Sequence, residues 1–266
     1  MKLRLLPSSL ESELPGSPAP HAQPLTSFIV TGAGGAGPLA IDAGSLGMVG
    51  DAAEMARIEE VVLTHSHIDH VATLPMWIEA CLSQGRVPVR VHAALETVDA
   101  LRAHLFNDVL FPDFEALTDA EGRALLEWAL IPDEGAFSVA GLRLESIPAA
   151  HPVPTRGFVV DDGERAALFA ADSGPNPALW AAVAARPGLS AVVLETSFPD
   201  AMGDIALGSG HLTPGLLAEE LRHAPADLRI LVAHLKPAYR DDVARALEAL
   251  HRQGHVAHFK GCAHSP

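Results

Sequence analysis

Short runs of apolar residues alternate along this chain with longer stretches in which apolar positions recur at helical spacing. The short runs predict strands over 2–6, 26–32, 38–44, 60–64 and 88–92. Helical stretches are predicted over 48–58, 72–82 and 94–106. The theme then repeats. Strands are predicted over 136–140, 142–149, 157–161 and 166–172, followed by a helix over 177–185 and a strand over 190–195. A helix over 214–224, a strand over 228–234 and a last helix over 239–253 complete the pattern. Hairpin-like strands open each half and βα units close it. That order predicts two similar layered halves, with sheets packed face to face and helices outside, in one α/β domain spanning 1–266. The segment 8–24, rich in Ser and Pro, is predicted to be a surface loop between two strands.

Most of the notable polar residues fall at or just past a predicted strand end. Asp42 follows 39–41, and the run 64–70 (THSHIDH) places His65, His67, Asp69 and His70 directly after an apolar strand. His151 follows 146–150, Asp172 follows 167–171, Glu195 ends its strand and His234 ends another. Strand ends along one sheet edge converge, and ligands commonly bind there. Taken singly, each residue has an ordinary explanation: a solvated loop for the His65 cluster, turn residues for His151 and Asp172, a strand-end cap for His234. Their joint presence points to metal chemistry. Neutral imidazole and carboxylate are what Zn²⁺ and its neighbours accept where thiolates are absent. The seven candidates are His65, His67, Asp69, His70, His151, Asp172 and His234. A two-metal site sharing one carboxylate needs about that many ligands, and it holds a bridging hydroxide at neutral pH.

Composition narrows the partners. The formal net charge is −15, with 18 Lys and Arg scattered along the chain. Such a field repels a polyanion, so no long nucleic acid is expected. No run approaches the roughly 18–20 apolar residues that span a bilayer, so no membrane is expected either. Two cysteines, Cys81 and Cys262, form no disulfide framework, and the N-terminal apolar run is too short for a secretory segment. The expected compartment is the cytoplasm, with a bacterial periplasm left open. Fourteen histidines are many for 266 residues, which again favours metal ligation.

With 41–44 (IDAG), 64–70, His151, Asp172 and His234, the chain resembles the metallo-β-lactamase superfold, a four-layer αββα sandwich. The resemblance implies that His65, His67 and His151 hold one metal, and that Asp69, His70 and His234 hold the other. Asp172 would bridge, and Asp42 would steady the cluster loop through hydrogen bonds. The superfold hosts many reactions, so finer motifs must decide the function. The runs 194–199 (LETSFP) and 210–214 (GHLTP) resemble the phosphodiesterase branch, where a Glu and a His form a proton-relay pair. Here these would be Glu195 and His211, with Asp69 also orienting the attacking water.

Within that branch the runs 68–75, 105–114, 171–177 and 233–237 resemble class-II cyclic nucleotide phosphodiesterases. That resemblance implies a dinuclear enzyme that hydrolyses 3′,5′-cyclic nucleotides, cAMP or cGMP, to 5′-nucleotides. The cofactors would be two divalent ions, Zn²⁺ first, with Mn²⁺ or Fe²⁺ as alternatives. Asn107, the backbone amides of Ser173 and Gly174, and Thr213 are expected to contact substrate, and Phe106, Phe111 and Phe114 either to roof it or to pack. A homodimer is expected. The alternatives are a tRNA 3′-end endonuclease, which should carry a basic arm that is not seen, an ester, lactone or thioester hydrolase, which needs no Glu195–His211 pair, and a non-catalytic cyclic-nucleotide binder.

Overall fold

A computed structural model describes residues 1–6, 25–252 and 257–258. The predicted loop over 8–24 and Cys262 lie outside the described residues. The contacts divide the chain into two compact units, one comprising Met1–Leu6 and Leu25–Arg143, the other running on from Leu144.

Six strands form the first sheet in sequence order: β1 (Lys2–Leu5), β2 (Phe28–Thr31), β3 (Leu39–Ile41), β4 (Glu60–Val62), β5 (Val89–Ala93) and β6 (Leu126–Leu130). β1 to β3 pair antiparallel, and β3 to β6 pair parallel. Two short helices, α1 (Ala52–Met55) and α2 (Ile68–Val71), accompany the longer α3 (Leu74–Ser83) and α4 (Leu95–His104). Trp77, Ile78 and Cys81 of α3 and Val98 and Leu101 of α4 are buried with Val61, Leu63, Val89 and Val91 in one core. That burial is what holds an amphipathic helix against a sheet.

The second sheet has seven strands: β7 (Ala136–Val139), β8 (Leu142–Pro148), β9 (Arg156–Asp161), β10 (Ala166–Phe169), β11 (Leu189–Glu195), β12 (Arg229–Ala233) and β13 (Ala257–His258). They lie side by side in sequence order. β9 and β10 pair antiparallel, and β10 to β13 pair parallel. The helices here are α5 (Pro177–Ala184), α6 (Gly203–Gly208), α7 (Pro214–Glu220) and α8 (Arg240–Arg252). Their apolar faces, with Trp180, Val183, Leu217, Val243 and Leu247, close a second core over Val192, Leu194, Ile230 and Val232. Asn176 caps α5 by accepting from the amides of Ala178 and Leu179, and Pro177 occupies its first turn, where no amide is needed.

Two mixed sheets with flanking helices bear out the α/β class. The structure corrects several boundaries. The helix predicted over 48–58 is a 3₁₀ turn, Leu46–Met48, followed by the single turn α1. The helix predicted over 214–224 ends at Glu220 and tightens into a 3₁₀ turn. β6, β13, α2 and α6 are absent from the predicted elements. The β6 sequence LEWAL is made largely of good helix formers, and only pairing with β5 makes it a strand.

Candidate metal centre

In the first unit the site is assembled at the ends of β3 and β4, which are parallel neighbours. Asp42 follows β3 in the left-handed backbone region, φ 63°, a conformation that costs a non-glycine residue energy and clusters at functional sites. Its carboxylate is buried and faces three donors. The Thr64 amide donates to Oδ1 at 2.8 Å, the Thr64 hydroxyl donates at 2.9–3.0 Å, and Nδ1 of His70 lies 2.7 Å from Oδ2. The single hydroxyl proton of Thr64 goes to Asp42, so its oxygen accepts from Nδ1 of His65, 2.9 Å away. One carboxylate thus orients two histidines, His70 directly and His65 through a hydroxyl.

With both Nδ1 atoms protonated in this way, Nε2 carries the lone pair in each ring, the form a metal ligand requires. The rings crowd together, with centroids 4.2 Å apart for His65 and His70 and 4.7 Å for His65 and His67. His65 and His67 offer donor atoms within 4.8 Å of each other, and so do Asp69 and His70. Gly44 makes room for the loop, because a Cβ there would fall on the Asp69 carbonyl oxygen and the Thr26 backbone.

In the second unit the parallel strands β10, β11 and β12 present Asp172, Glu195 and His234 at neighbouring C-terminal ends. Ala171 (φ 59°) and His234 (φ 60°) again take left-handed backbone. Asp172 lies 3.5 Å from Nε2 of His234, and it offers an oxygen within 4.8 Å of a His151 nitrogen as well as of a His234 nitrogen. A carboxylate with two histidine neighbours of this kind suits a bridging ligand. Nδ1 of His151 faces the Gly210 carbonyl at 3.1 Å, which assigns its proton there and leaves Nε2 as the donor atom.

Glu195 is buried and fully engaged. Oε1 takes Nδ1 of His211 at 2.9 Å and the Leu212 amide at 2.9 Å, and Oε2 takes the Ser197 hydroxyl at 2.8 Å. Burial, then the nearby Asp172 carboxylate, pushes Glu195 upward, while His234 and the hydrogen bonds from Ser197 and Leu212 pull the other way. Phe198 packs against the His211 ring at 5.6 Å. Glu195 and His211 are therefore a formed pair, with Nδ1 of the imidazole tied to the carboxylate. In each unit the donors among the described residues are imidazole and carboxylate, which fits divalent zinc, manganese or iron.

Three of the expected substrate contacts, Asn107, the Gly174 amide and Thr213, have occupations of their own. The Asn107 carbonyl accepts from the Val109 and Leu110 amides and its amide donates to Ala103, so the side chain builds its own turn. The Gly174 amide, expected to face phosphate, donates instead to the Ala150 carbonyl at 3.0 Å, and the Ser173 hydroxyl accepts from the Ala150 amide. Thr213 caps α7 through the Leu216 amide. Phe106, Phe111 and Phe114 pack edge to face or tilted against one another, and Phe106 also against Trp128. The sequence reading assigned no role to Thr64 or Ser197. A hydroxyl residue adjacent to His65, and another two places after Glu195, was the available signal.

A family model described as "Beta-lactamase superfamily domain" matches residues 45–234. Among solved structures, unliganded yeast PDE1 is 16% identical, with a TM-score of 0.74 over 97% of each chain. The metallo-beta-lactamase fold protein YhfI from Bacillus subtilis is 16% identical, with a TM-score of 0.69 over 98% of this chain and 96% of that one. The short form of human tRNase Z is 16% identical, with a TM-score of 0.61 over 98% and 97%. No curated protein matches the chain.

Proposed function

Since the chain belongs to the beta-lactamase superfamily and is a metal-dependent hydrolase of the metallo-β-lactamase fold, we propose that it hydrolyses 3′,5′-cyclic nucleotides to 5′-nucleotides. The observation that carries this reading is the buried Glu195–His211 pair, 2.9 Å apart. The oxygen that a phosphodiester expels leaves as an alkoxide and must be protonated as it departs, and an imidazole held by a carboxylate suits that general-acid task. The motifs over 105–114, 194–199 and 210–214, which resemble those of class-II cyclic nucleotide phosphodiesterases, narrow the diester to a cyclic nucleotide, and yeast PDE1 is among the similar folds.

The ligands would be His65, His67 and His151 for one divalent ion and Asp69, His70 and His234 for the other, with Asp172 shared. Bound divalent metal supplies a nucleophile from water at neutral pH and neutralises charge on the phosphoryl oxygens. Glu195 holds Nδ1 of His211, so Nε2 is the atom that delivers a proton. As water oxygen bonds to phosphorus and the P–O3′ bond breaks, that proton passes to O3′. Asp42 keeps His65 and His70 in the ligating tautomer throughout.

The net charge of −15 supports a small substrate over a long RNA. A cyclic nucleotide carries one negative charge and meets only the local site, since fields are screened beyond roughly 8–10 Å in physiological salt. The ion identity, with Zn²⁺ first, and a homodimer belong to the same proposal.

The test is hydrolysis of cAMP and cGMP by metal-replete protein with product identification, beside His211→Ala and a bis-p-nitrophenyl phosphate control. Efficient formation of 5′-nucleotide, lost by about 10²–10⁴-fold in the variant with its metal content unchanged, is the expected result. Cleavage of the generic diester alone would reject the cyclic-nucleotide assignment.

A further inference from the structure

Ser197 sits at the centre of the second unit's polar cluster without an assigned role. Its hydroxyl is 2.8 Å from Oε2 of Glu195, 2.9 Å from Nδ1 of His234, 3.2 Å from the His234 carbonyl and 3.4 Å from Nδ1 of His211. The side chain is fully buried. A hydroxyl has one proton to give. The short contact to the carboxylate claims it, so the serine oxygen is left to accept, and the nearest donor is Nδ1–H of His234.

We propose that Ser197 is a positioning residue for the metal ligand His234, and that Glu195 through it serves the metal centre as well as His211. The proposal rests on the metal-dependent reading above and adds a second task to Glu195. It is a statement about proton placement. With its proton held on Nδ1 by Ser197, the His234 ring turns Nε2 toward Asp172, 3.5 Å away, as a lone-pair donor. Strand register makes the contact obligatory. Glu195 pairs with Ala233 across β11 and β12, and the Thr196 amide donates to the Ala233 carbonyl. Ser197 and His234 therefore leave adjacent strand ends side by side.

The first unit carries the same device independently. There Asp42 holds His70 directly and His65 through the Thr64 hydroxyl. In the second unit Glu195 holds His211 directly and His234 through the Ser197 hydroxyl. Two buried carboxylates, each fixing one histidine by contact and another through a single hydroxyl, are arranged from different strands with different spacing. In the first unit hydroxyl and histidine are consecutive in sequence. In the second they are 37 residues apart.

The experiment compares full-length wild type, Ser197→Ala, Ser197→Thr and Thr64→Ala. Each is titrated with zinc in chelator buffers, with bound metal counted by mass spectrometry and thermal unfolding recorded without metal. Wild type is expected to bind two ions. Ser197→Ala is expected to lose about 10–100-fold in affinity for one of them and keep the other, and Ser197→Thr to recover. Thr64→Ala is expected to weaken one ion as well, and the double variant to weaken both. Equal affinity in Ser197→Ala and wild type overturns the role of Ser197 and leaves the metal-dependent reading standing. Uniform weakening of both ions by Ser197→Ala also overturns it, since that marks a merely structural serine. A wild type that binds no ion overturns both. Nitrogen chemical shifts of the His234 ring in zinc-loaded wild type decide the matter without a variant: the Nδ1–H tautomer is expected, and an Nε2–H tautomer refutes the proposal.

Discussion

Asp42→Asn changes one atom of the site and leaves its shape intact. The asparagine carbonyl can still accept from the Thr64 amide and hydroxyl, which reach Oδ1 of Asp42 at 2.8 and 3.0 Å. Backbone strain is not added, because asparagine tolerates the left-handed conformation at φ 63° as aspartate does. The difference falls on His70, whose Nδ1 lies 2.7 Å from Oδ2. An NH₂ group in that place donates and cannot accept. The ring must then put its proton on Nε2, the atom the proposed metal needs. Restoring the ligating tautomer in the variant sacrifices a hydrogen bond to a charged acceptor, about 1.5–3 kcal/mol. At about 1.4 kcal/mol per factor of ten, that is roughly a 10–100-fold loss of affinity for the ion bound to His70. Zinc competition with a chelator of known affinity measures it, beside the thermal unfolding of metal-free protein, which is expected to fall by an amount equivalent to about 1 kcal/mol or less. A variant that binds both ions as wild type does would refute the assignment of His70 as a ligand oriented by Asp42.

Four further outcomes are expected. Gly44→Ala pushes a methyl group onto the Asp69 and Thr26 backbone, which no rotamer relieves, so thermal unfolding should show a loss of about 3 kcal/mol or more, or no soluble protein. In Gly210→Ala the new Cβ lies 2.7 Å from the Ala150 oxygen and 2.9 Å from the His151 Cα, at φ +65°; stability should fall by about 1–3 kcal/mol, and zinc titration should show weakening of the ion proposed for His151. Burial pushes the Cys81 thiol up to about 11, against the opposing pull of Arg86, so peptide-resolved alkylation at pH 8 should run roughly 100-fold slower than for an ordinary thiol. Because that folded value lies above the ordinary thiol value of 9.0, its contribution to stability is fully present below pH 9 and is lost as pH rises through about 11, which denaturant midpoints across that range would register.

The candidate donors were legible in the chain because imidazole and carboxylate side chains gathered at strand ends stand out by type and by place. Four of the seven candidates fall within 65–70, and the others stand at or just past apolar runs that do form β8, β10 and β12. Glu195 and His211 were legible only as a pair of motifs, and their 2.9 Å contact is a tertiary fact. Local pattern misjudged what pairing decides. The LEWAL run of β6 has helix-forming residues and is a strand because β5 offers it partners. Asn107 and the Gly174 amide looked free to meet a substrate in a string of letters, and the fold satisfies the first within its own turn and the second on the distant Ala150 carbonyl. The hydroxyls of Thr64 and Ser197 were silent for the same reason. Serine and threonine are common beside strand ends, and which proton each gives or takes depends on atoms brought near by strand register. Residue type and spacing name the donors of a site, while the direction of each hydrogen bond, and with it the tautomer of each imidazole, exists only once distant strands lie side by side.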